Sequence, residues 1–320
     1  MKRINKALAI FALLSVAYAC EDIVEEDISN DSVQIIAPTE GVTIEGNTVN
    51  FSWMELDGAD NYRIQISNEV QTIIVDSLLT GTTFNHNISP GDYQWRSKRV
   101  NFAYETAYTF PSGFSVEASD NLDNQSLELL TPSNGIYTND DNFTFTWTPI
   151  ETADSYTFEL VKNDGGEQTV LGPITDIVTG NYTIDDSTVF DVDAEYIWKV
   201  KAVNATSATP NSQRSLFIDR VAPNQPALVS PTDMDTTTNL TVNFNWTNGT
   251  DTGNLQSAIT NTMEIASDVD FNSVIETFNT ANNTHQFTFD SIGTYYWRVK
   301  ANDAAGNASD NSIVRSIVIE

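Results

Sequence analysis

"YYWRVKAND" (295–303) sets three aromatic rings beside two cations in a chain whose formal net charge is −29. Taken as a surface, it is a ligand strip. Taken as a β-strand, it has an inside and an outside, because side chains alternate along a strand with period two. Tyr295, Trp297, Val299 and Ala301 then face a core, while Tyr296, Arg298, Lys300 and Asn302 face water. "YIWKVK" (196–201) repeats the split, with Tyr196, Trp198, Val200 and the following Ala202 inward and Ile197, Lys199 and Lys201 outward. A third copy is "YQWRSK" (93–98). The tryptophans are therefore expected in cores, where each contributes roughly 2–3 kcal/mol by the area it buries.

The copies belong to a longer repeat. The six tryptophans fall at 53, 95, 147, 198, 246 and 297, two per unit. The first of each pair closes "VNFSW" (49–53), "NFTFTW" (142–147) or "VNFNW" (242–246). Each unit opens on an apolar run and a proline: "VQIIAPTEG", "LELLTPSNG" and "PALVSPTDM", with Pro38, Pro132 and Pro231. A period near one hundred residues exceeds that of solenoids and suits small domains with their own cores. Within a unit, Val49, Phe51 and Trp53 alternate with polar residues in short β-branched and aromatic runs separated by Gly, Asn, Asp and Pro clusters. No sustained helical stripe follows residue 20. About seven short strands per unit are expected, packed as a β-sandwich.

"VNFSWMELDGADNYRIQIS" (49–67) resembles strands B and C of a fibronectin type III or related immunoglobulin-like domain, and "GTYYWRVKANDAAGNAS" (293–309) resembles its strand F and F–G turn. The resemblance implies an all-β chain of three tandem fibronectin type III-like β-sandwiches in an extended rod, with domains at 33–118, 125–219 and 222–320. It makes strands C and F neighbours; strand C presents Thr157 and Glu159, or Thr262 and Glu264, so Lys199 and Lys201 would lie across from Glu159, and Arg298 and Lys300 across from Glu264. It also puts the F–G turn near the N-terminal pole. The third unit departs by a six-residue insertion: 17 positions separate Trp246 from Met263, against 11 between Trp53 and Ile64. The longer B–C loop is "TNGTDTGNLQSAIT" (247–260). Such a sandwich hosts many unrelated roles.

The first unit breaks the charge pattern. Its strand C presents Arg63 and Gln65 with no acid, and its strand F presents Arg96 and Lys98. Arg99 and Ser97 stand where the other copies have Ala and Val. The next segment, "NFAYETAYTFPSGF" (101–114), holds five aromatic residues, whereas the equivalent turns "NATSATPNSQ" and "DAAGNASDNS" hold none. Arg63, Arg96, Lys98, Arg99, Phe102 and Tyr104 are the candidate partner- or glycan-binding residues, since exposed rings with cations suit a protein hot spot or a polysaccharide. The alternative is that Phe110 and Phe114 are strand G core, tether acids neutralise the arginines and only Tyr104 is exposed.

Residues 1–19 read as an export signal: a basic start (Lys2, Arg3, Lys6), the apolar "ALAIFALLSVA" (7–17), too short to span a bilayer, and small residues at 17 and 19. Cys20, the only cysteine, follows at the cleavage point and resembles the lipidated residue of a bacterial lipoprotein; an ordinary secreted protein is the alternative. The acidic "CEDIVEEDISND" (20–31) reads as a tether, and it resembles the surface-export signal of lipoproteins in Bacteroidota. Removing the leader leaves 12 Lys and Arg against 44 Asp and Glu, a net of −32. That charge disfavours nucleic acid and anionic headgroups as partners.

Enzymatic constellations are scarce. His86 and His285 lie in different units, and no Gly-rich phosphate loop, metal-spaced His/Cys cluster or nucleophile elbow occurs. No catalytic residue and no cofactor is expected. Asp251 in the long loop, with Asp303 and Asp310 in the F–G turn, are candidates for calcium, which takes oxygen ligands from loops; solvated loop acids are the alternative reading. The expected function is a non-catalytic, lipid-anchored module at the outer membrane or cell surface that binds a protein or polysaccharide. An accessory of glycan uptake and a structural spacer are the alternatives.

Overall fold

The computed structural model describes residues 26–320. The leader, Cys20 and the start of the acidic tether lie outside the described residues. Twenty-four strands and one short 3₁₀ turn follow, and they group by eights. The first eight are β1 (Ile35–Ala37), β2 (Val42–Glu45), β3 (Thr48–Trp53), β4 (Asn61–Asn68), β5 (Ile73–Leu79), β6 (Thr83–Asn87), β7 (Gly91–Val100) and β8 (Ser112–Glu117). The next are β9 (Leu129–Thr131), β10 (Ile136–Thr138), β11 (Phe143–Trp147), β12 (Ser155–Asn163), β13 (Glu167–Ile177), β14 (Asn181–Ile184), β15 (Glu195–Val203) and β16 (Ser212–Ile218). The last are β17 (Ala227–Ser230), β18 (Asp235–Thr237), β19 (Thr241–Thr247), β20 (Thr260–Ala266), β21 (Val274–Thr280), β22 (Thr284–Thr288), β23 (Gly293–Asn302) and β24 (Arg315–Ile319).

Each group folds into one three-stranded and one five-stranded sheet. The orders are β1-β3-β6 with β2-β8-β7-β4-β5, then β9-β11-β14 with β10-β16-β15-β12-β13, then β17-β19-β22 with β18-β24-β23-β20-β21. These are three fibronectin type III-like sandwiches. The eighth strand has a physical origin. Pro38, Pro132 and Pro231 cannot donate to a ladder, and at each the opening segment leaves the small sheet for the large one. β10 and β18 then run parallel to β16 and β24.

The chain divides into two compact units. One contains residues 26–42, 50–84 and 92–114, the bulk of the first sandwich. The other contains residues 43–49, 85–91 and 115–320, with the second and third sandwiches complete.

The expected alternation is present. Val49, Phe51 and Trp53 are buried between polar neighbours, and all six tryptophans are buried. Tyr295, Trp297, Val299 and Ala301 point inward, as do Tyr196, Trp198, Val200 and Ala202. Ile197, expected outside, is buried as well. In every sandwich a phenylalanine of the small sheet meets a tryptophan of the large one. The ring centroids are 5.1 Å apart for Phe51–Trp95, 5.1 Å for Phe145–Trp198 and 5.0 Å for Phe244–Trp297. A tyrosine beginning the same strand ties it to the preceding loop. The Tyr196 hydroxyl donates to the Val192 carbonyl at 2.9 Å and that of Tyr295 to the Ser291 carbonyl at 3.0 Å. Burial pushes the Tyr196 hydroxyl up to about 12, so it keeps its proton to donate.

Trp198→Ala is expected to destabilise the chain by about 3–5 kcal/mol. Lys201→Ala, on the outer face of the same strand, should stay within about 0.5 kcal/mol. Urea denaturation of the two variants checks the contrast, and equal midpoints would refute the inward assignment.

Candidate functional site

The outer face of the first sandwich is built by β5, β4 and β7. The register sets Gln65 opposite both Asp76 and Arg96, and Arg63 opposite Lys98. Acids do face these cations, contrary to the reading from sequence. Asp76 on β5 accepts from Arg63 Nε at 2.7 Å and Nη2 at 2.9 Å, and from Gln65 Nε2 at 3.0 Å. Gln65 Oε1 in turn accepts from Arg96 Nη2 at 2.7 Å. Lys98 donates to Glu105 at 2.6 Å. The missing acids came from a neighbouring strand and from the following turn, where a comparison of strands C and F alone does not look.

Hydrogen bonds from Arg63 hold the Asp76 carboxyl below the usual range. Its contribution is present above the ordinary carboxylate pKa and is lost as pH falls through the depressed value.

Arg99 is not on this face. Its residue is 1% exposed and its guanidinium donates to Asp31 Oδ2 at 2.6 Å and to the Asp57 carbonyl. The expected neutralisation by a tether acid is thus found for Arg99. It anchors the end of the tether from inside, and it belongs to the fold rather than to a ligand surface.

The rings divide sharply. Phe114 is buried, while Phe102 and Phe110 are 91% and 95% exposed. Phe110 is therefore not strand core, and Tyr104 is not alone on the surface. Tyr108, which was not singled out as a site residue, is the ring that organises the cations. The Arg96 guanidinium lies 4.3 Å and the Lys98 ammonium 5.0 Å from its centroid, within cation–π range. Tyr108 precedes β8 in a stretch without regular structure, so periodicity gave it no direction. A cavity of ≈ 210 Å³ lies beside Arg96, lined also by Gln65, Gln71 and Gln94 among others.

The corresponding faces of the other sandwiches are ordinary. Arg298 pairs with Glu264 at 2.7 Å, as the strand register requires, and covers the Phe271 ring at 3.9 Å. Lys199 lies opposite Glu159 but bonds instead to Glu167 on β13 at 3.1 Å. Lys201 and Lys300 lie opposite threonines, not glutamates. His285 on β22 stacks on Phe278 at 3.8 Å, and burial pushes its pKa down. Burial does the same to His86 on β6.

The calcium candidates separate. Asp251 and Asp303 are buried and come together, with Asp219 as a third carboxylate. They are not solvated loop acids. Asp310 is exposed and stands apart from the cluster. Asp219 was missed because it follows the last strand of one sandwich, outside either turn of the next.

Comparison with known proteins adds structural likenesses only. The chain is similar to the FN1–FN3 domains of chicken CNTN1, at 14% identity and TM-score 0.45, over 90% of this chain and 98% of that one. It is also similar to fibronectin(III)-like modules of Clostridium thermocellum CbhA, at 16% identity and TM-score 0.23, over 58% of this chain and 94% of that one. No protein-family profile matches the chain. No curated protein matches it either.

Arg99 and Asp31 give a stability test. Asp31→Ala leaves a buried guanidinium with the Asp57 carbonyl alone and is expected to cost about 1–3 kcal/mol. Arg63→Ala removes a solvated pair and should move the urea midpoint far less. The reverse order would contradict the assignment of Arg99 to the interior.

Proposed function

We propose that the chain is a non-catalytic, surface-anchored binding module whose first sandwich meets a protein partner. The observation that carries this reading is the pair Phe102 and Phe110, large apolar rings left in water at 91% and 95% exposure on one turn segment. Large exposed rings on the segment that also holds the Arg96 guanidinium through Tyr108 are the composition of interaction hot spots. The equivalent segments of the other sandwiches carry no aromatic residue, so the fold itself does not demand these rings. Arg96, stacked on Tyr108 and held by Gln65, presents a charge already in place, which lowers the ordering cost of binding; Lys98, expected on the surface, is buried against Glu105 and presents none.

The amide-lined cavity beside Arg96 favours a second reading, a polysaccharide ligand hydrogen-bonded by Gln65, Gln71 and Gln94. The protein reading ranks first because all six tryptophans are buried. The exposed Phe102 and Phe110 rings also offer no polar tip to a sugar. Anchoring rests on Cys20 following a leader, and the acidic chain repels anionic headgroups, so a lipid supplies the attachment.

The partner test compares the wild-type chain with Phe102→Ser/Phe110→Ser in pull-downs from surface extracts and on a glycan array. The double variant is expected to lose a protein partner at least tenfold while unfolding normally, since each exposed hot-spot ring is worth about 1–2 kcal/mol. Retained capture would dismiss this face, and sensitivity only to removal of a whole sandwich would favour a spacer. Cys20→Ser is expected to move the protein to the soluble fraction; persistence in the membrane fraction would refute lipid anchoring.

A further inference from the structure

Three carboxylates are buried together in the second compact unit. Asp219 follows β16, Asp251 lies in the loop between β19 and β20, and Asp303 follows β23. Their exposures are 0%, 8% and 7%. One oxygen from each lies within 4.8 Å of the others. Like charges gathered out of water need a positive partner. Among the described residues, no Lys, Arg or His forms an ion pair with any of the three. Arg220, adjacent in sequence, is committed to Asp193 at 2.9 Å and to the Phe190 carbonyl at 2.7 Å.

Local hydrogen bonds orient the acids without exhausting them. Asp303 accepts from the Asn307 backbone N–H at 2.7 Å and from Asn307 Nδ2 at 2.8 Å. Asp251 accepts from the N–H groups of Gly253 at 3.1 Å and Ser257 at 3.2 Å. Asp219 Oδ1 accepts from the Val221 N–H at 3.3 Å, whereas Oδ2 is buried with no hydrogen-bond partner. Such an orphaned carboxylate oxygen calls for an explanation. Burial first, and then the Asp251 charge, push the Asp219 carboxyl up, with the Ser257 hydroxyl acting the other way.

The other two sandwiches show what usually fills this place. Asn204 follows β15 as Asp303 follows β23. Its Nδ2 donates to the carbonyls of Asp120 at 2.7 Å and Thr152 at 3.2 Å, clamping the incoming chain to the β11–β12 loop. Asn101 does the same with Glu26 at 2.9 Å and Gly58 at 3.2 Å. In the third sandwich the amide donor becomes an acceptor. The incoming chain and the β19–β20 loop bring Asp219 and Asp251, two more acceptors. Asn307 Nδ2 still reaches the Asp219 carbonyl at 2.9 Å, but the three carboxylates, all acceptors, cannot join one another directly; a cation between them can.

We propose that Asp219, Asp251 and Asp303 bind a divalent metal ion, calcium, which joins the incoming chain, the inserted loop and the β23–β24 turn. The donors are all oxygens, the set a hard cation takes, and their separation suits one ion bonded at about 2.3–2.6 Å to each. Magnesium prefers a stricter octahedron with retained waters, which a three-carboxylate buried cluster serves poorly. Asp251 stands five residues after Trp246, the place that Gly58 and Thr152 hold after Trp53 and Trp147, so the loop position clamped by an amide in the first two sandwiches is the one that carries the carboxylate here.

The test uses the full chain after chelator treatment, with CaCl₂ itself as the probe. Isothermal titration calorimetry is expected to show one saturable site, and thermal unfolding should shift upward in CaCl₂ relative to chelator. Asp303→Asn reinstates the amide of the second sandwich and is expected to fold, yet to lose roughly tenfold or more in calcium affinity together with the thermal shift. Asp251→Asn should behave likewise, whereas Asp310→Asn, on the exposed part of the same turn, should change neither. No saturable site in the wild-type chain, or an unchanged one in Asp251→Asn and Asp303→Asn, overturns the proposal. An equal response to MgCl₂ overturns the assignment to calcium.

Discussion

The contact of a phenylalanine from the three-stranded sheet with a tryptophan from the five-stranded sheet is the constraint on which each sandwich depends. The three pairs keep nearly one separation, 5.0–5.1 Å, at tilted or edge-on angles. Such geometry adds about 0.5–1.5 kcal/mol beyond the area buried. The described chain has no disulfide to do this work, since only one cysteine exists. Fixing the two rings also fixes the strand faces. Once Trp198 or Trp297 points inward, period two decides every other side chain on that strand, including the cations that first look like a site.

How much was legible in sequence follows from that same period. The tryptophan spacing and the alternation around it disclose the sandwiches, and the inserted loop is visible as a change in spacing between Trp246 and Met263. The eighth strand was not legible. The opening segment shows one apolar run, and only three-dimensional partners reveal that the short stretch beyond each proline is a second strand on the other sheet. The pairing of Arg63 was hidden for a related reason. Asp76 lies on β5, and its position opposite Gln65 is a matter of register, which the sequence of β4 and β7 does not contain. Arg99 was visible as an oddity among Ala202 and Ala301, and a tether acid was an available partner, but nothing in the sequence singles out Asp31 among the acids of that segment.

Outward positions show how little of a surface the fold dictates. Arg298 meets Glu264 directly across the ladder, Lys199 passes over its opposite Glu159 to reach Glu167, and Arg96 is held by a glutamine and a tyrosine ring. Backbone register is shared, yet each cation settles on whichever acceptor or ring its own sheet and turns provide. Exposed pairs of this kind contribute little to stability, so the fold leaves them open to variation. The same freedom permits Phe102 and Phe110 to stand in water on one sandwich only.

The pole where chain enters each sandwich is less free. There the residue after the long β-strand must hold the incoming segment, and the first two sandwiches use an amide, Asn101 or Asn204, that donates to backbone carbonyls. An amide donor needs nothing else, because its acceptors are neutral and already present. Substituting a carboxylate at that point removes the donor and adds a charge, which burial makes costly. Asp303 alone would be a defect in the joint. Asp303 with Asp219 and Asp251, each delivered by a different segment, gives the third entry a place for a cation, beside the direct clamp in which Asn307 Nδ2 donates to the Asp219 carbonyl at 2.9 Å.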